Sequence, residues 1–202
     1  MRKIFVTGIG TDVGKTIVSA MLTEALQADY WKPVQAGFAD GTDTERVKSL
    51  VSNKKSVFHT EAYKLQMPAS PHAAAAKEGI TIRIKDIQLP LTSNTLLIEG
   101  AGGLMVPLSE KELVIDLIEA LQAEVIVVVR HYLGSINHTL LTLKVLEQRR
   151  LPVNGIIISG EPNEQSEKAI LAQTGVKILG RIGEEKHFSP AIISQYAQKI
   201  SL

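Results

Sequence analysis

The chain has 202 residues, of which 45% are hydrophobic and 21% are charged, and this composition suits one globular domain with a substantial core. Its formal net charge of +1 argues against a strong electrostatic attraction to nucleic acid or to an anionic membrane. The sequence has no cysteine and no apolar run long enough for a signal peptide or a membrane span, so disulfides are excluded and a cytoplasmic location is predicted.

Short apolar runs alternate with helical segments along most of the chain. The runs predicted as strands are 4–7, 30–34, 96–98, 125–129, 156–158 and 178–179. The segments predicted as helices are 16–27, 113–122, 136–149, 164–173 and 190–200. Several of the strands lack polar alternation, which indicates burial on both faces of a sheet. The pattern predicts an α/β fold over residues 1–202, with a mostly parallel β-sheet flanked by helices on both faces.

The segment 37–93 differs from the rest of the chain. It is polar, broken by prolines and only weakly periodic, although a helix is expected to open near 73–76. Long excursions from a compact sheet are usually functional, so we expect loops or a lid here.

A glycine-rich loop follows the first predicted strand and leads directly into a helix. Its glycines allow backbone N–H groups to converge on an anion, and the helix N-terminus adds partial positive charge. Lys15 would reach the terminal phosphates of a nucleotide, and the Thr16 hydroxyl would ligate Mg²⁺. The sequence therefore predicts a P-loop NTPase-like, nucleotide-binding catalytic domain.

The spacing of this loop departs from the general phosphate-loop pattern. The general pattern has four residues between its first glycine and Gly-Lys-Ser/Thr. Here five residues separate Gly8 from Gly14, and three separate Gly10 from Gly14. The loop is therefore a variant.

The variant resembles the loop of the dethiobiotin synthetase family, which reads Thr-Gly-Thr-Asp-Thr-x-Val-Gly-Lys-Thr. The matching residues are Thr7, Gly8, Thr11, Val13, Gly14, Lys15 and Thr16, and the loop departs from the family at Ile9 and Gly10. Further motifs of the family follow in the same order, namely Lys-Pro-Val at 32–34 with Gly37, Thr-Asp at 42–43, Ser-Pro-His at 70–72, Glu-Gly-Ala-Gly-Gly at 99–103 and Leu-Gly-x-Ile-Asn-His at 133–138. Beyond residue 150 the resemblance is weak.

The resemblance implies an activity. The family is a cyclo-ligase that joins CO₂ to 7,8-diaminopelargonate and closes a cyclic urea, giving dethiobiotin, ADP and phosphate. It uses ATP as co-substrate and Mg²⁺ as cofactor, and it proceeds through a carbamate and a carbamic-phosphoric anhydride. The implied partners are therefore small molecules, with no nucleic acid and no membrane.

The resemblance also implies roles for individual residues. Those implied in catalysis are Thr11, Lys15 and Lys32. Those implied in nucleotide binding are Asp12, Val13, Gly14, Lys15, Thr16, Glu99, Gly102 and Ser159. Those implied in substrate binding are Lys32, Ala36, Pro71, Gly134, Ser135 and Asn137, and those implied in metal binding are Thr16, Asp43 and Glu99. The family further implies a homodimer in which the Gly134 loop comes from the other subunit, so that the active site lies at the subunit interface.

These residue types suit phosphoryl transfer on physical grounds, because this chemistry depends on positioning and on neutralising charge. Each also has a structural alternative. Asp43 would serve equally as the cap of a helix starting at 44, Lys32 as a surface charge, and Glu99 as a solvated strand end. Free N–H groups at the start of the helix near Gly134 would bind a carboxylate.

Three departures from the family leave the nucleotide base and one substrate contact open. Ala36 stands where the family often has serine, Ser159 where it often has asparagine, and Gly183 where it has proline.

Other nucleotide-dependent functions compete with the ligase. A ParA/MinD-like P-loop ATPase switch is the main alternative, but that group carries a lysine at the position of Gly10. A small GTPase would need Asn-Lys-x-Asp, which is missing, and a related amide-forming synthase would need an additional glutaminase domain.

Overall fold

The computed structural model describes residues 1–201. Across that range the strands are β1 (Lys3–Gly8), β2 (Asp29–Trp31), β3 (Val34–Ala36), β4 (Phe58–His59), β5 (Tyr63–Leu65), β6 (Leu96–Gly103), β7 (Glu124–Arg130), β8 (Val153–Ser159) and β9 (Ile178–Ile182). The α-helices of the same range are α1 (Lys15–Leu26), α2 (Asp43–Leu50), α3 (Pro71–Lys77), α4 (Val114–Leu121), α5 (Ser135–Gln148), α6 (Glu164–Thr174) and α7 (Pro190–Ala197).

The predicted α/β fold is confirmed. Within the described range, seven strands form one sheet in the order β4-β2-β6-β1-β7-β8-β9, and all of its strand pairs are parallel. Residues 4–6, 96–98 and 125–129 in its centre are fully buried. The strands covered on both faces are thus the unbroken apolar runs of the sequence.

Helices cover the sheet in two groups. The connection from β1 through α1 moves along the strand order toward β4. The connections through α4, α5 and α6 move in the opposite direction, toward β9. Because parallel crossovers are right-handed, the two sets lie on opposite faces. Helix α1 packs against α2 and α7, and α5 packs against α6. No helix within residues 1–201 is long and apolar enough to cross a membrane.

The single strand predicted over 30–34 is wrong, because the chain leaves the large sheet at Pro33. Strand β2 belongs to the large sheet, and β3 pairs with β5 in a separate two-stranded sheet. Pro33 has no N–H to donate to a ladder. Its carbonyl instead accepts hydrogen bonds from the amides of Ala62 and Tyr63. The break leaves residue 32 directly after the carboxyl end of β2.

Segment 37–93 holds more regular structure than its composition indicated. It contains α2, β4, β5, α3 and a short 3-10 helix at Ile84–Asp86. Its strands have only two and three residues, which is too short for a periodic signal. Elsewhere the predicted helix ends lie within one residue of those observed, except that α7 ends at Ala197 rather than at 200.

Candidate active site

The phosphate loop occupies residues 8–14, between β1 and α1, at the centre of the sheet. Gly14 is the N-cap of α1, with a φ of 91°, and no side chain caps the helix. Its left-handed backbone favours glycine. The uncapped amides of the first turn are therefore available to an anion.

Lys15 lies over this loop as a buried cation. Its Nζ donates to the carbonyl oxygen of Gly10 at 2.8 Å, and the residue is 8% exposed. Burial lowers the pKa of Lys15 from 10.5 to about 8, against the opposing attraction of Glu99, and the charge of Lys32 lowers it further. An ammonium that burial disfavours gains stability when a polyanion binds beside it.

Thr16, Lys32, Asp43 and Glu99 form one connected cluster beside the loop. Lys32 Nζ donates to Glu99 Oε1 at 2.9 Å and lies 2.5 Å from Asp43 Oδ2. Thr16 Oγ1 lies 2.8 Å from Asp43 Oδ1 and 3.0 Å from Glu99 Oε1. The four residues come from α1, the turn after β2, α2 and β6, so the fold brings together distant parts of the chain.

The structural alternatives for three of these residues are wrong. Lys32 is 5% exposed and Glu99 is 1% exposed, so neither is a surface charge. Glu99 lies inside β6, opposite Val6 of β1, rather than at a strand end. Asp43 is the first residue of α2 and does not cap it, because Thr42 is the N-cap and forms a capping box with Glu45.

The charges of the cluster depend on one another. Burial disfavours the ammonium of Lys32, but Glu99 and Asp43 outweigh that effect and raise the pKa of Lys32. Burial likewise opposes ionisation of Asp43, but Lys32 outweighs it and lowers the pKa of Asp43. Lys32 and Asp43 are thus both charged at neutral pH.

The oxygen atoms of the cluster fit a hard divalent cation. The Thr16 hydroxyl lies within hydrogen-bond distance of one carboxylate oxygen of Asp43 and one of Glu99. Mg²⁺ in nucleotide sites usually takes one or two carboxylates and completes its shell with phosphate oxygens and water. Residues 1–201 contain no group of three or more His, Cys, Asp or Glu that could hold a metal ion.

A cavity of about 790 Å³ connects the loop with the cluster. The predicted site residues that line it are Thr11, Asp12, Gly14, Lys15, Thr16, Lys32, Ala36, Pro71, Asp43, Glu99 and Gly102. Val13 is buried and packs on Gly8 instead. Ser159 lies beside the loop, because its hydroxyl would overlap a Cβ added to Gly14.

The predicted residues at the start of α5 lie in another place. Gly134 and Asn137 line a separate cavity of about 730 Å³, and Ser135 is buried. Gly134 is the N-cap of α5, has a φ of 102° and leaves the helix without a side-chain cap. Within one chain, these three residues do not line the phosphate-loop cavity.

The chain is similar to known proteins over almost its whole length. A family model described as an AAA domain matches residues 2–191. The ATP-dependent dethiobiotin synthetase BioD of Christiangramia forsetii is 53% identical over 198 residues, covering 98% of this chain and 95% of the relative. The enzyme of the same name from Cytophaga hutchinsonii is 51% identical over 201 residues, covering 99% and 97%. The chain belongs to the dethiobiotin synthetase family.

This assignment confirms the resemblance drawn from the motifs and extends it over residues beyond 150. More distant proteins of known structure share only the fold with this chain. A ParA family ATPase from Chlorobium tepidum has a TM-score of 0.58 at 13% identity, covering 98% of both chains. The MinD ATPase of Pyrococcus furiosus has a TM-score of 0.52 at 14% identity with the same coverage. The switch alternative is therefore not favoured.

Sequence reasoning missed three residues of the candidate dethiobiotin synthetase site. Tyr30 donates to Glu99 Oε2 at 3.0 Å, and Gln35 accepts from the amide of Asp43 at 3.1 Å and lines the cavity. Arg130 also lines the cavity, from the end of β7. The carboxyl ends of parallel strands commonly hold ligands, and this rule would have found Arg130.

Proposed function

We propose that this protein is an ATP- and Mg²⁺-dependent dethiobiotin synthetase. In this reaction, CO₂ and 7,8-diaminopelargonate are joined into a cyclic urea with formation of ADP and phosphate. The observation that carries the proposal is the buried Lys32, which contacts Asp43 and Glu99 beside the phosphate loop. This arrangement supports the proposal, because a second fixed cation would lie where a carbamate meets a terminal phosphate. Membership of the family supports the same conclusion.

The proposed chemistry has three steps. One amine of the substrate attacks CO₂ and loses a proton, which gives a carbamate. A carbamate oxygen attacks the γ-phosphorus and displaces ADP, which gives a carbamic-phosphoric anhydride. The second amine attacks the carbonyl carbon, expels phosphate and closes the ring, again with loss of a proton.

Residues of this chain suit each step. The uncapped amides at the start of α1 would hold the phosphates, and Lys15 would contact the β- and γ-phosphates. Lys32 would lie between the carbamate and the transferring phosphate and stabilise the charge that develops there. Two neighbouring cations would also favour the free amine over the ammonium, since like charges disfavour the protonated form.

Thr16, Asp43 and Glu99 would hold the Mg²⁺ ion. When bound, Mg²⁺ supplies positive charge that neutralises the phosphate oxygens. Lys32 and the Thr16 hydroxyl contact both carboxylates, and these contacts would orient the oxygen ligands.

We also propose that the active site is completed by a second subunit. Gly134, Ser135 and Asn137 would bind the carboxylate of 7,8-diaminopelargonate through the start of α5, while Ala36 and Pro71 would contact the substrate from the first subunit. Support comes from exposed apolar side chains. Leu133 lines the cavity at Gly134, and Met105 and Leu141 line a third cavity, of about 390 Å³, which adjoins the phosphate loop at Thr11. An unusually exposed apolar surface is typical of an interaction site.

The expected setting is cytoplasmic, with small molecules as ligands and with neither nucleic acid nor membrane as a partner.

The test is a reconstituted reaction. The purified protein is mixed with ATP, Mg²⁺, bicarbonate and 7,8-diaminopelargonate, and phosphate release and the mass of the organic product are followed together. We expect phosphate release to depend on the diamine, on Mg²⁺ and on bicarbonate, with one dethiobiotin formed per phosphate. Lys15→Met is the control for contaminating ATPase activity. Phosphate release that is unaffected by the diamine would overturn the proposal.

A further inference from the structure

Arg130 is a cation of the phosphate-loop cavity to which the resemblance gives no role. It ends β7 and lies opposite Ser159 of β8, which in turn lies opposite Ile182 of β9. The carboxyl ends of these three strands therefore form one continuous edge beside the loop. Arg130 lines the cavity from this edge.

The side chain of Arg130 is held across the neighbouring strand. A Cβ on Gly160 would lie 3.6 Å from Arg130 Cγ and 3.7 Å from its Cζ, so the arginine crosses directly over this glycine. Its guanidinium then pairs with Glu184, which follows β9. The fold thus directs a long, flexible side chain along the edge of the sheet.

The pair with Glu184 contributes little to folding. The side chains of Arg130 and Glu184 are 41% and 51% exposed, and ion pairs of such exposure contribute about 0–1 kcal/mol. The guanidinium has five N–H donors in a planar fork, so it retains free donors while paired with one carboxylate. It is therefore free to contact a ligand in the adjacent cavity.

The position of Arg130 relative to the loop indicates which part of a nucleotide it meets. Lys32, Asp43 and Glu99 surround the Thr16 hydroxyl on the β6 side of the loop, which is the side of the γ-phosphate and the metal. Gly14 approaches Ser159 on the β8 side. A triphosphate held by the loop therefore extends its nucleoside end toward β7 and β8. Of the described residues, Arg130 is the cation that lines the cavity on that side.

We propose that Arg130 is a nucleotide-binding residue whose guanidinium contacts the phosphate at the nucleoside end of ATP, the α-phosphate. The inference rests on the proposed use of ATP. Glu184 holds the side chain extended along the strand edge in the free protein. A bidentate contact of the guanidinium with phosphate oxygens is charge-assisted and geometrically specific, which lysine cannot reproduce.

The test is nucleotide binding by calorimetry in the presence of Mg²⁺ and without the diamine. Arg130→Met is compared with Arg149→Met, which removes the same charge from an exposed pair with Asp116 and Glu119. We expect Arg130→Met to raise the Kd of both ATP and ADP about 10- to 100-fold, because a charge-assisted hydrogen bond is lost. Arg130→Lys should lose part of this affinity, and Arg149→Met none.

Inorganic tripolyphosphate separates a phosphate contact from a base contact. We expect Arg130→Met to weaken its binding by a factor similar to that for ATP. In the reaction, KM for ATP should rise while kcat stays nearly constant, since the lost contact is made equally in the ground state and the transition state. Unchanged binding of ATP and ADP, or unchanged binding of tripolyphosphate, would overturn the inference.

Glu184→Gln tests whether the ion pair itself is what binding needs. We expect this variant to bind ATP at least as tightly as the wild type, because it keeps the guanidinium and removes a competing carboxylate. A loss equal to that of Arg130→Met would assign a structural role to the pair and overturn the inference. Since binding is measured without the diamine, failure of the ligase reaction leaves this result intact, and the reverse also holds.

Discussion

The starts of α1 and α5 have the same local design in very different surroundings. Each helix begins after a glycine in the left-handed region, Gly14 at a φ of 91° and Gly134 at a φ of 102°, and neither has a side-chain cap. Both therefore offer free amides to an anion. The cavity at the first is lined by two buried lysines, one arginine and three carboxylates. The cavity at the second has no lysine or arginine in its lining, as far as the described residues extend.

The difference teaches how a common backbone element acquires a particular ligand. Free amides alone bind anions without distinguishing them, whereas fixed cations and metal ligands match a triphosphate that carries several charges. Amides with one polar side chain suit a single carboxylate. The start of α1 is thus complete within one chain, while that of α5 is expected to act only when a second subunit brings it to a phosphate loop.

The largest effect should come from Lys15→Met, which removes the buried cation of the first site. We expect kcat/KM to fall at least about 1,000-fold, because a preorganised charge at the transferring phosphate is lost. Turnover is measured as diamine-dependent phosphate release, and folding by circular dichroism. Activity within about tenfold of the wild type would remove Lys15 from the mechanism.

The same variant should be more stable than the wild type when no ligand is present. Burial lowers the pKa of Lys15 from 10.5 to about 8 in the folded chain. Between these two pH values Lys15 is therefore protonated to a larger extent in the unfolded chain than in the folded chain. The penalty is complete below pH 8 and disappears as the pH rises through 10.5. Lys15→Met should therefore add roughly 2–3 kcal/mol to the free energy of unfolding at pH 7. Chemical denaturation in EDTA at pH 7 and at pH 10.5 measures this, and an equal gain at both pH values would contradict it.

Glu99→Gln should have the next largest effect, since it breaks the cluster without changing its size. Lys32 would keep only Asp43 as a charged partner, and removing one partner of a buried ion pair is strongly destabilising. We expect a loss of about 2–4 kcal/mol in the free energy of unfolding and a fall of about 100-fold in kcat. Both are measured on one preparation, by denaturation and by steady-state kinetics.

Glu124→Gln is the matched control, because Glu124 pairs with Arg2 at a half-exposed position. Its cost should stay below about 1 kcal/mol. Equal costs for the two substitutions would show that the buried cluster does not contribute as an ion network.

Asn137→Ala addresses the second site, and its effect should be smaller. We expect kcat/KM for the diamine to fall about 10- to 100-fold with little change in stability, since Asn137 is exposed and would lose one hydrogen bond to a carboxylate. KM for ATP should not change. A rise in KM for ATP equal to that for the diamine would contradict the assignment of this loop.

Mixed dimers of Lys15→Met and Asn137→Ala subunits test whether the two helix starts meet across an interface. In a two-fold dimer with random exchange, half of the dimers are mixed, and each has one intact site, so about one quarter of wild-type activity should return. No recovery in verified heterodimers would argue against shared sites.

How far the sequence alone predicts such a molecule differs between its parts. The buried strands and the loop at Gly14 were predictable from local periodicity and spacing, whereas the cluster residues came from the resemblance to the family's motifs. The break at Pro33 and the short strands of segment 37–93 were not predictable, because they depend on pairing with distant residues. The contact between Arg130 and Glu184 joins two strand ends, and although the end of β7 marks Arg130 as a candidate, no local pattern pairs it with Glu184. Contacts between residues on different strands are therefore seen only in the structure.

The last prediction concerns stability alone and compares the two glycines themselves. A Cβ on Gly14 would overlap the hydroxyl of Ser159, whereas a Cβ on Gly134 would have its nearest neighbour at 3.8 Å, on His138. Both substitutions with alanine incur the strain of a left-handed backbone, about 1–2 kcal/mol, but only Gly14→Ala adds a steric overlap. We expect Gly14→Ala to cost about 3 kcal/mol or more and Gly134→Ala about 1–2 kcal/mol, measured by denaturation. Ser159→Ala in the Gly14→Ala background should recover about 1 kcal/mol and should recover nothing in the Gly134→Ala background, because the overlap exists at only one of the two helix starts. Equal costs for the two glycines would mean that the surroundings of α1 yield as easily as those of α5, which the packing of Ser159 against the loop contradicts.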